Sequence, residues 1–363
     1  MDKLEQARQI INETDGEIAK LFERRMKAVA DVAEYKLQRG LPVLDAGREA
    51  QIIAKNCEYV NDPVLREYYT SFLISTMEIS KRYQRRLMQG MTVAYSGVEG
   101  AFAEIASKRI FPDAVKIAFP DFNSAYRAVE NGECDCCVLP IENSYAGEVG
   151  QVIDLIYEGT LNVTGMYSLA VCQNLLGVKG ADIESIKKVI SHPQALGQCA
   201  DYIKDHGFET EESANTALAA KKVASLNDKT VAAIASLDTA KLYSLEVIDH
   251  DINASTQNTT KFAVLTRTPE KPSDTGSFIM LFTVKQVPGA LAKAINVIGK
   301  YGFNMKALRS RPMREPAWQY YFYVEVDGSD KSENGRAMIS ELTKQCERLK
   351  IAGRFKQVID LGK

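Results

Sequence analysis

The chain has 363 residues, 45% of them hydrophobic and 25% charged, with a formal net charge of −2. That length predicts two or three domains of ordinary globular composition. The near-zero charge excludes a strong field for nucleic acid or an anionic membrane, and no apolar run reaches the length of a membrane span. The polar opening, Met1 to Gln9, carries no apolar signal core. Seven cysteines cannot all pair and none forms Cys-x-x-Cys, so a reducing cytoplasm is the expected compartment. Cys134, Cys136 and Cys137 cluster near a strand start with no histidine close in sequence, so a structural or incidental role is expected for them, a metal site being the other reading. Only three histidines occur, His192, His206 and His250, which argues against chemistry centred on imidazole.

Residues 1–88 have helical texture, broken at Arg39–Pro42 and at Asn61-Asp62-Pro63. Residues 2–38 read as one helix, roughly 55 Å long at 1.5 Å per residue. Its apolar stripe is Leu4, Ala7, Ile11, Ile18, Leu21, Val29 and Val32. A helix of this length cannot bury its stripe alone and needs partner helices, a second subunit being one source. Arg25 interrupts the stripe and Lys36 falls on the same side. Either both snorkel to water or an anion faces them. A second helix beginning near Asp45 carries Arg48 and Glu49, and a third has Phe72, Thr76, Ser80 and Gln84 at four-residue steps along a ridge that should be buried. Cations, carboxylates and neutral donors without a nucleophile suit a small dianion whose reaction only redistributes charge.

The run Arg8, Leu21-x-x-x-Arg25, Lys36, Gly40-x-Pro42-Val43-x-Asp45-x-x-Arg48-Glu49 and Ser80-x-x-x-Gln84 resembles the all-helical chorismate mutase family. The resemblance implies a homodimer that exchanges long helices, with Arg8 reaching the partner's pocket. It implies that Arg8, Arg25 and Arg48 hold the two carboxylates of chorismate, and that Lys36 and Gln84 donate to the breaking ether oxygen. Glu49 would bind the hydroxyl, with Asp45 and Ser80 completing the pocket. A pericyclic rearrangement gains from a folded reactive conformer and from donors aimed at the oxygen that gathers charge.

Residues 91–268 alternate β-branched runs with helical patterns, the texture of an α/β fold. A strand at Thr92–Tyr95 enters a glycine loop, Ser96 to Ala103, that opens a helix and offers backbone N–H groups to an anion. Polar groups follow further strands at Ile141–Ser144, Ser191–Ala195 and Ser236. Such ends converge on a cleft in open α/β sheets. The segment resembles prephenate dehydratase through Ala94-Tyr95-x-Gly97-x-x-Gly100-x-Phe102, Pro140–Ser144 with Gly147-x-Val149, Ser191–Ala195 with Gln198-Cys199, and Asn258-Thr259-Thr260-Lys261-Phe262. The resemblance implies two α/β lobes like a type II solute-binding protein, prephenate in the crevice, and Thr260 as the essential hydroxyl. Asn143, Ser144, Lys261 and Phe262 would contact substrate; helix N-capping is the other reading of Asn143 and Ser144. Lys261 replaces the family's usual arginine, Val98 stands where proline is common, and Ala101 and Ala103 stand where hydroxyl residues are usual. These departures leave prephenate against arogenate open.

A proline-rich linker, Thr268 to Gly276, leads to residues 276–363, which read strand, helix, strand, strand, helix, strand. The second helix is expected near 332–349 and the last strand near 352–360. The βαββαβ unit resembles an α+β ACT domain. The resemblance implies phenylalanine as an effector, held at a subunit interface by Gly289, Ala290, Leu291, Ser310, Arg311 and Pro312. Arg309 replaces the family's glutamate, and for it a surface role and a regulatory role are both open. Neither implied reaction calls for a cofactor or metal. A degenerate amino-acid binder is the competing class, opposed by the cation set of residues 1–88.

Overall fold

The structure, a computed structural model, describes residues 2–254, 258–269, 276–313 and 319–362. Most of the expected linker, and Trp318, lie outside the described residues. Residues 1–92 and 93–363 form two compact units.

The first unit is three helices: α1 (Lys3–Arg39), α2 (Ala46–Cys57) and α3 (Pro63–Gln89). Each boundary is written locally. Asp2 and Glu5 form a reciprocal capping box, and Gly40 ends α1 in the left-handed conformation at φ +62°. Asp45 caps α2, and Asp62 caps α3 with Pro63 at the first helical position. α1 packs on α3 through Ala33, Leu73, Thr76, Met77, Ser80 and Gln84. Phe72, expected on that buried ridge, is exposed. The amino-terminal half of the α1 stripe is bare: Leu4 is 56% exposed, Ile11 57%, Ile18 44% and Leu21 55%.

The second unit begins with β1 (Thr92–Ser96), α4 (Phe102–Ile110), β2 (Val115–Phe119), α5 (Phe122–Glu130), β3 (Cys136–Asn143), β4 (Gly147–Glu148), α6 (Gly150–Glu158) and β5 (Asn162–Ala170). The chain then builds a separate five-stranded sheet, ordered β10-β6-β9-β7-β8. Its strands are β6 (Asn174–Gly177), β7 (Lys188–Ser191), β8 (Glu209–Glu212), β9 (Val231–Ala235) and β10 (Glu246–Asp249). Its helices are α7 (Pro193–Gln198), α8 (Ala200–His206), α9 (Thr216–Leu226) and α10 (Leu237–Tyr243). β11 (Thr259–Thr266) returns to the first sheet between β5 and β3. Two lobes thus share two chain crossings, one after Ala170 and one before Thr259. The alternation of short apolar strands and helices is explained by burial on both faces of each sheet.

The carboxyl-terminal elements are β12 (Ser277–Val284), α11 (Ala290–Lys300), β13 (Met305–Pro312), β14 (Tyr320–Asp327), α12 (Glu333–Thr343), β15 (Cys346–Phe355) and β16 (Val358–Asp360). α12 ends earlier than its composition suggests. The stretch from Cys346 onward pairs along β12, from Val284↔Cys346 to Ser277↔Phe355, and that pairing overrides helix propensity. These strands extend the first lobe's sheet, in the order β13-β14-β12-β15-β5-β11-β3-β1-β2. The junction is the parallel bridge Gly353↔Val163, beside β16 on β5.

Candidate active sites

A cavity of about 880 Å³ opens between the lobes of the second unit. Asn143 ends β3 at its edge and is 7% exposed. Register places it opposite Thr260 of β11. The Asn143 Oδ1 accepts from the backbone N–H groups of Tyr145 (3.0 Å) and Ala146 (2.9 Å). Those groups can only donate, so the amide orientation is settled. Its Nδ2 therefore donates to Thr260 Oγ1 at 2.9 Å and to Asn258 Oδ1 at 2.9 Å. The threonine oxygen is an acceptor in this pair, and its own proton is left to donate elsewhere.

Expected residues divide at this point. Thr260 and Phe262, two apart on β11, both line the cavity with Asn143. Lys261 falls between them on the other face, and its Nζ pairs with Glu142 at 3.0 Å. It is an ion-pair partner of Glu142 here and is not among the residues that line the cavity. Ser144 is exposed, and its Oγ accepts the Thr259 N–H at 2.9 Å. Neither Asn143 nor Ser144 caps a helix; β3 runs through Asn143, whose carboxamide closes a turn instead.

The second lobe contributes His192, which caps α7 through Gln194 N–H, together with Gln194, Gln198 and Asn215. Ser236, also expected near the cleft, caps α10 and bonds Thr239, which reaches back to the Gly100 carbonyl at 3.0 Å. Sequence reasoning missed Gln173, which lines the cavity from the first crossing and whose Oε1 is buried without a hydrogen-bond partner. No periodic or motif signal marks it. No lysine or arginine lines the cavity among the described residues. Instead α4 and α6 both open on it without side-chain caps, presenting first-turn N–H groups and positive dipole ends.

In the first unit a cavity of about 750 Å³ is edged by Arg25, Arg48, Gln51, Lys55 and Tyr59 over Leu73 and Met77. Arg25 is half-buried, donates to Ser80 Oγ, and has its pKa pushed down by burial. Lys36 Nζ donates to the Val43 carbonyl at 2.6 Å, which draws the α1–α2 turn against the helix. Glu49 pairs with Lys81 at 3.0 Å, and Asp45 is engaged as the α2 cap. Gln84 is buried on α3 with its Oε1 unpartnered. Arg8 lies on α1 seventeen residues before Arg25, roughly 25 Å along the axis. It cannot share this pocket within one chain.

At the carboxyl-terminal end, Gly289 is left-handed at φ +79° and starts α11. Ser310 and Pro312 are exposed on one face of β13. Arg311 is on the other, with Nη2 on Asp154 at 3.0 Å and Nη1 on Glu148 at 3.3 Å. Strand alternation turns it toward the first lobe, away from the face that carries Ser310 and Pro312. Arg309 shares that face and is no surface residue.

A cleft holding an oriented hydroxyl, and a separate helical cavity edged by arginines, define an enzyme with two sites for small anions. The family model for prephenate dehydratase matches residues 93–270, and that for chorismate mutase type II matches residues 7–85. The bifunctional chorismate mutase/prephenate dehydratase of Enterobacter agglomerans is 30% identical over 352 residues, covering 92% of this chain and 91% of its own. The prephenate dehydratase of Staphylococcus aureus is 26% identical with a TM-score of 0.66, covering 73% of this chain and 100% of that one. That of Arthrobacter aurescens, solved with L-Phe, shares the fold at 23% identity and TM-score 0.68, covering 73% and 90%. The chain belongs to the bifunctional chorismate mutase/prephenate dehydratase family. It rearranges chorismate to prephenate and converts prephenate to phenylpyruvate. Among the described residues no helix is long and apolar enough to cross a membrane.

Proposed function

We propose that Thr260 is the hydroxyl that hydrogen-bonds the departing oxygen in the dehydratase, oriented by Asn143. As the ring carboxylate leaves as carbon dioxide, its bond electrons form the new ring double bond and expel hydroxide. The departing oxygen needs a hydrogen bond in that transition state. The observation that carries this reading is the Asn143 Nδ2 to Thr260 Oγ1 bond, which leaves the threonine proton free to donate. The uncapped starts of α4 and α6 would hold the carboxylates, Phe262 would pack on the ring, and aromatisation supplies the driving force. Thr260→Ala should abolish phenylpyruvate formation from prephenate while chorismate loss continues; an active variant removes Thr260 from the site.

In the helical unit, Arg25 and Arg48 would bind the carboxylates, with Arg8 supplied by a second copy. Lys36 and Gln84 would face the ether oxygen, and Asp45, Glu49 and Ser80 would complete the pocket. The bare α1 stripe and the distance from Arg8 to Arg25 support a homodimer. Lys36→Ala should stop mutase turnover and spare the dehydratase.

The domain reading is a mutase over 1–88, a dehydratase over 91–268 and an ACT module over 276–363, supported by the βαββαβ order of the last segment. Phenylalanine would bind there through Gly289, Ala290, Leu291, Ser310 and Pro312. Feedback requires that it bind one cleft state more tightly than another. Calorimetry on the intact protein showing no phenylalanine binding ends that part of the proposal.

A further inference from the structure

On β3 and β4 two glutamates face each other. Glu142 and Glu148 are register partners, as are their neighbours Asn143 and Gly147. Like charges directly opposite on adjacent strands repel, and both carboxylates are about 70% covered, at 28% and 30% side-chain exposure. Two arginines from β13 answer that repulsion. Arg309 Nη2 meets Glu142 at 2.7 Å, and its Nε lies 3.7 Å from Glu148. Its guanidinium sits over the Tyr323 ring at 5.2 Å and is only 15% exposed. Arg311 takes the other oxygen of Glu148 and is anchored by Asp154 of α6. Lys261 takes the second oxygen of Glu142. Arg309 is thus the one described cation that touches both facing carboxylates.

The consequence reaches the cleft. Glu142 and Lys261 are paired in register, and the next pair along is Asn143 and Thr260. Gly147 and Glu148 of β4 line the cavity with them. Removing the bridging charge leaves two close, largely covered carboxylates, Glu142 with Lys261 alone and Glu148 with an Arg311 that Asp154 shares, and the cheapest relief is to part β3 from β4. That movement would carry Asn143 away from Thr260.

We propose that Arg309 is a positioning residue of the dehydratase site: by bridging Glu142 and Glu148 it clamps the β3–β4 hairpin and holds the Asn143–Thr260 pair in register. The proposal rests on the assignment of Asn143 and Thr260 to the reaction. It gives a carboxyl-terminal strand a direct part in the chemistry of the cleft, independent of any effector.

The test uses the full chain, with both activities measured on each variant. Arg309→Gln should lower kcat for phenylpyruvate formation roughly 10- to 100-fold, with a smaller change in KM, since small misplacements at a reacting centre cost about that much. Mutase rates should hold. Arg309→Lys, which keeps the charge, should restore part of the loss. Adding Glu148→Gln to Arg309→Gln removes the repulsion and should recover most of the remaining rate. The proposal is overturned if Arg309→Gln stays within about twofold of the parent, or if Glu148→Gln brings no recovery. Thr260→Ala, run alongside, separates the cases: if it stays active the site assignment fails, whereas a dead Thr260→Ala beside a normal Arg309→Gln fails the clamp alone.

Discussion

One carboxamide decides what one hydroxyl does. Because two backbone donors occupy the Asn143 oxygen, its nitrogen must face Thr260. Asn143→Asp keeps the shape and the turn but replaces the donor with an acceptor. Thr260 would then donate to the carboxylate rather than to substrate. Dehydratase kcat is expected to fall by about 10² or more, at the level of losing a general acid, measured as phenylpyruvate formed. A second residue-scale prediction concerns Lys350, which donates to the carbonyls of Ile156 and Gly159 at the end of α6. Burial, reinforced by Arg348, pushes its ammonium down to about 8. The unfolded chain keeps its lysine protonated up to about 10.4 and so binds more protons in that window. Stability relative to Lys350→Met should therefore rise with pH between these values, as read from urea midpoints.

Among the elements, two meet where there is no room to spare. Gly353 of β15 crosses Val163 of β5 so closely that an added Cβ would lie 2.2 Å from the Val163 carbonyl oxygen. That oxygen is backbone and cannot swing aside. Gly353→Ala should cost about 1–3 kcal/mol in denaturant unfolding, the range for overpacking. The loss should appear in the second unit only. α1 makes the opposite case, an element with too little cover. Ile18→Glu places a charge on its bare stripe and, on the homodimer proposed above, should shift the protein toward monomer in sedimentation. Mutase activity should fall with it, and dehydratase activity should persist.

For the whole molecule, two compact units carry separate cavities, so lesions in one should leave the other's rate intact. Much of this was legible in the chain. Helix boundaries at Asp2, Gly40, Asp45 and Pro63, the glycine loop at Gly97–Gly100 and the strand order of the last segment all follow from local stereochemistry. Thr260, Asn143 and Phe262 were legible as a motif and do line one cleft. Lys261 and Arg311 were read as ligands, and strand alternation engages both in ion pairs that only the fold reveals, with Glu142 and with Glu148 and Asp154. Gln173 gave no signal, because a lone glutamine in a crossing segment has neither period nor spacing.

The order of residues by itself determined which segments coil, where they stop, and which chemical groups are available, since capping, propensity and periodicity act within a few residues. Only the tertiary structure decided which groups share a face. Glu142 and Glu148 look like ordinary surface acids in the chain; a β3–β4 register sets them against each other, and a strand more than 150 positions later supplies the compensating charge. Pairings of that kind depend on distances folded across the whole sheet, which no local pattern encodes.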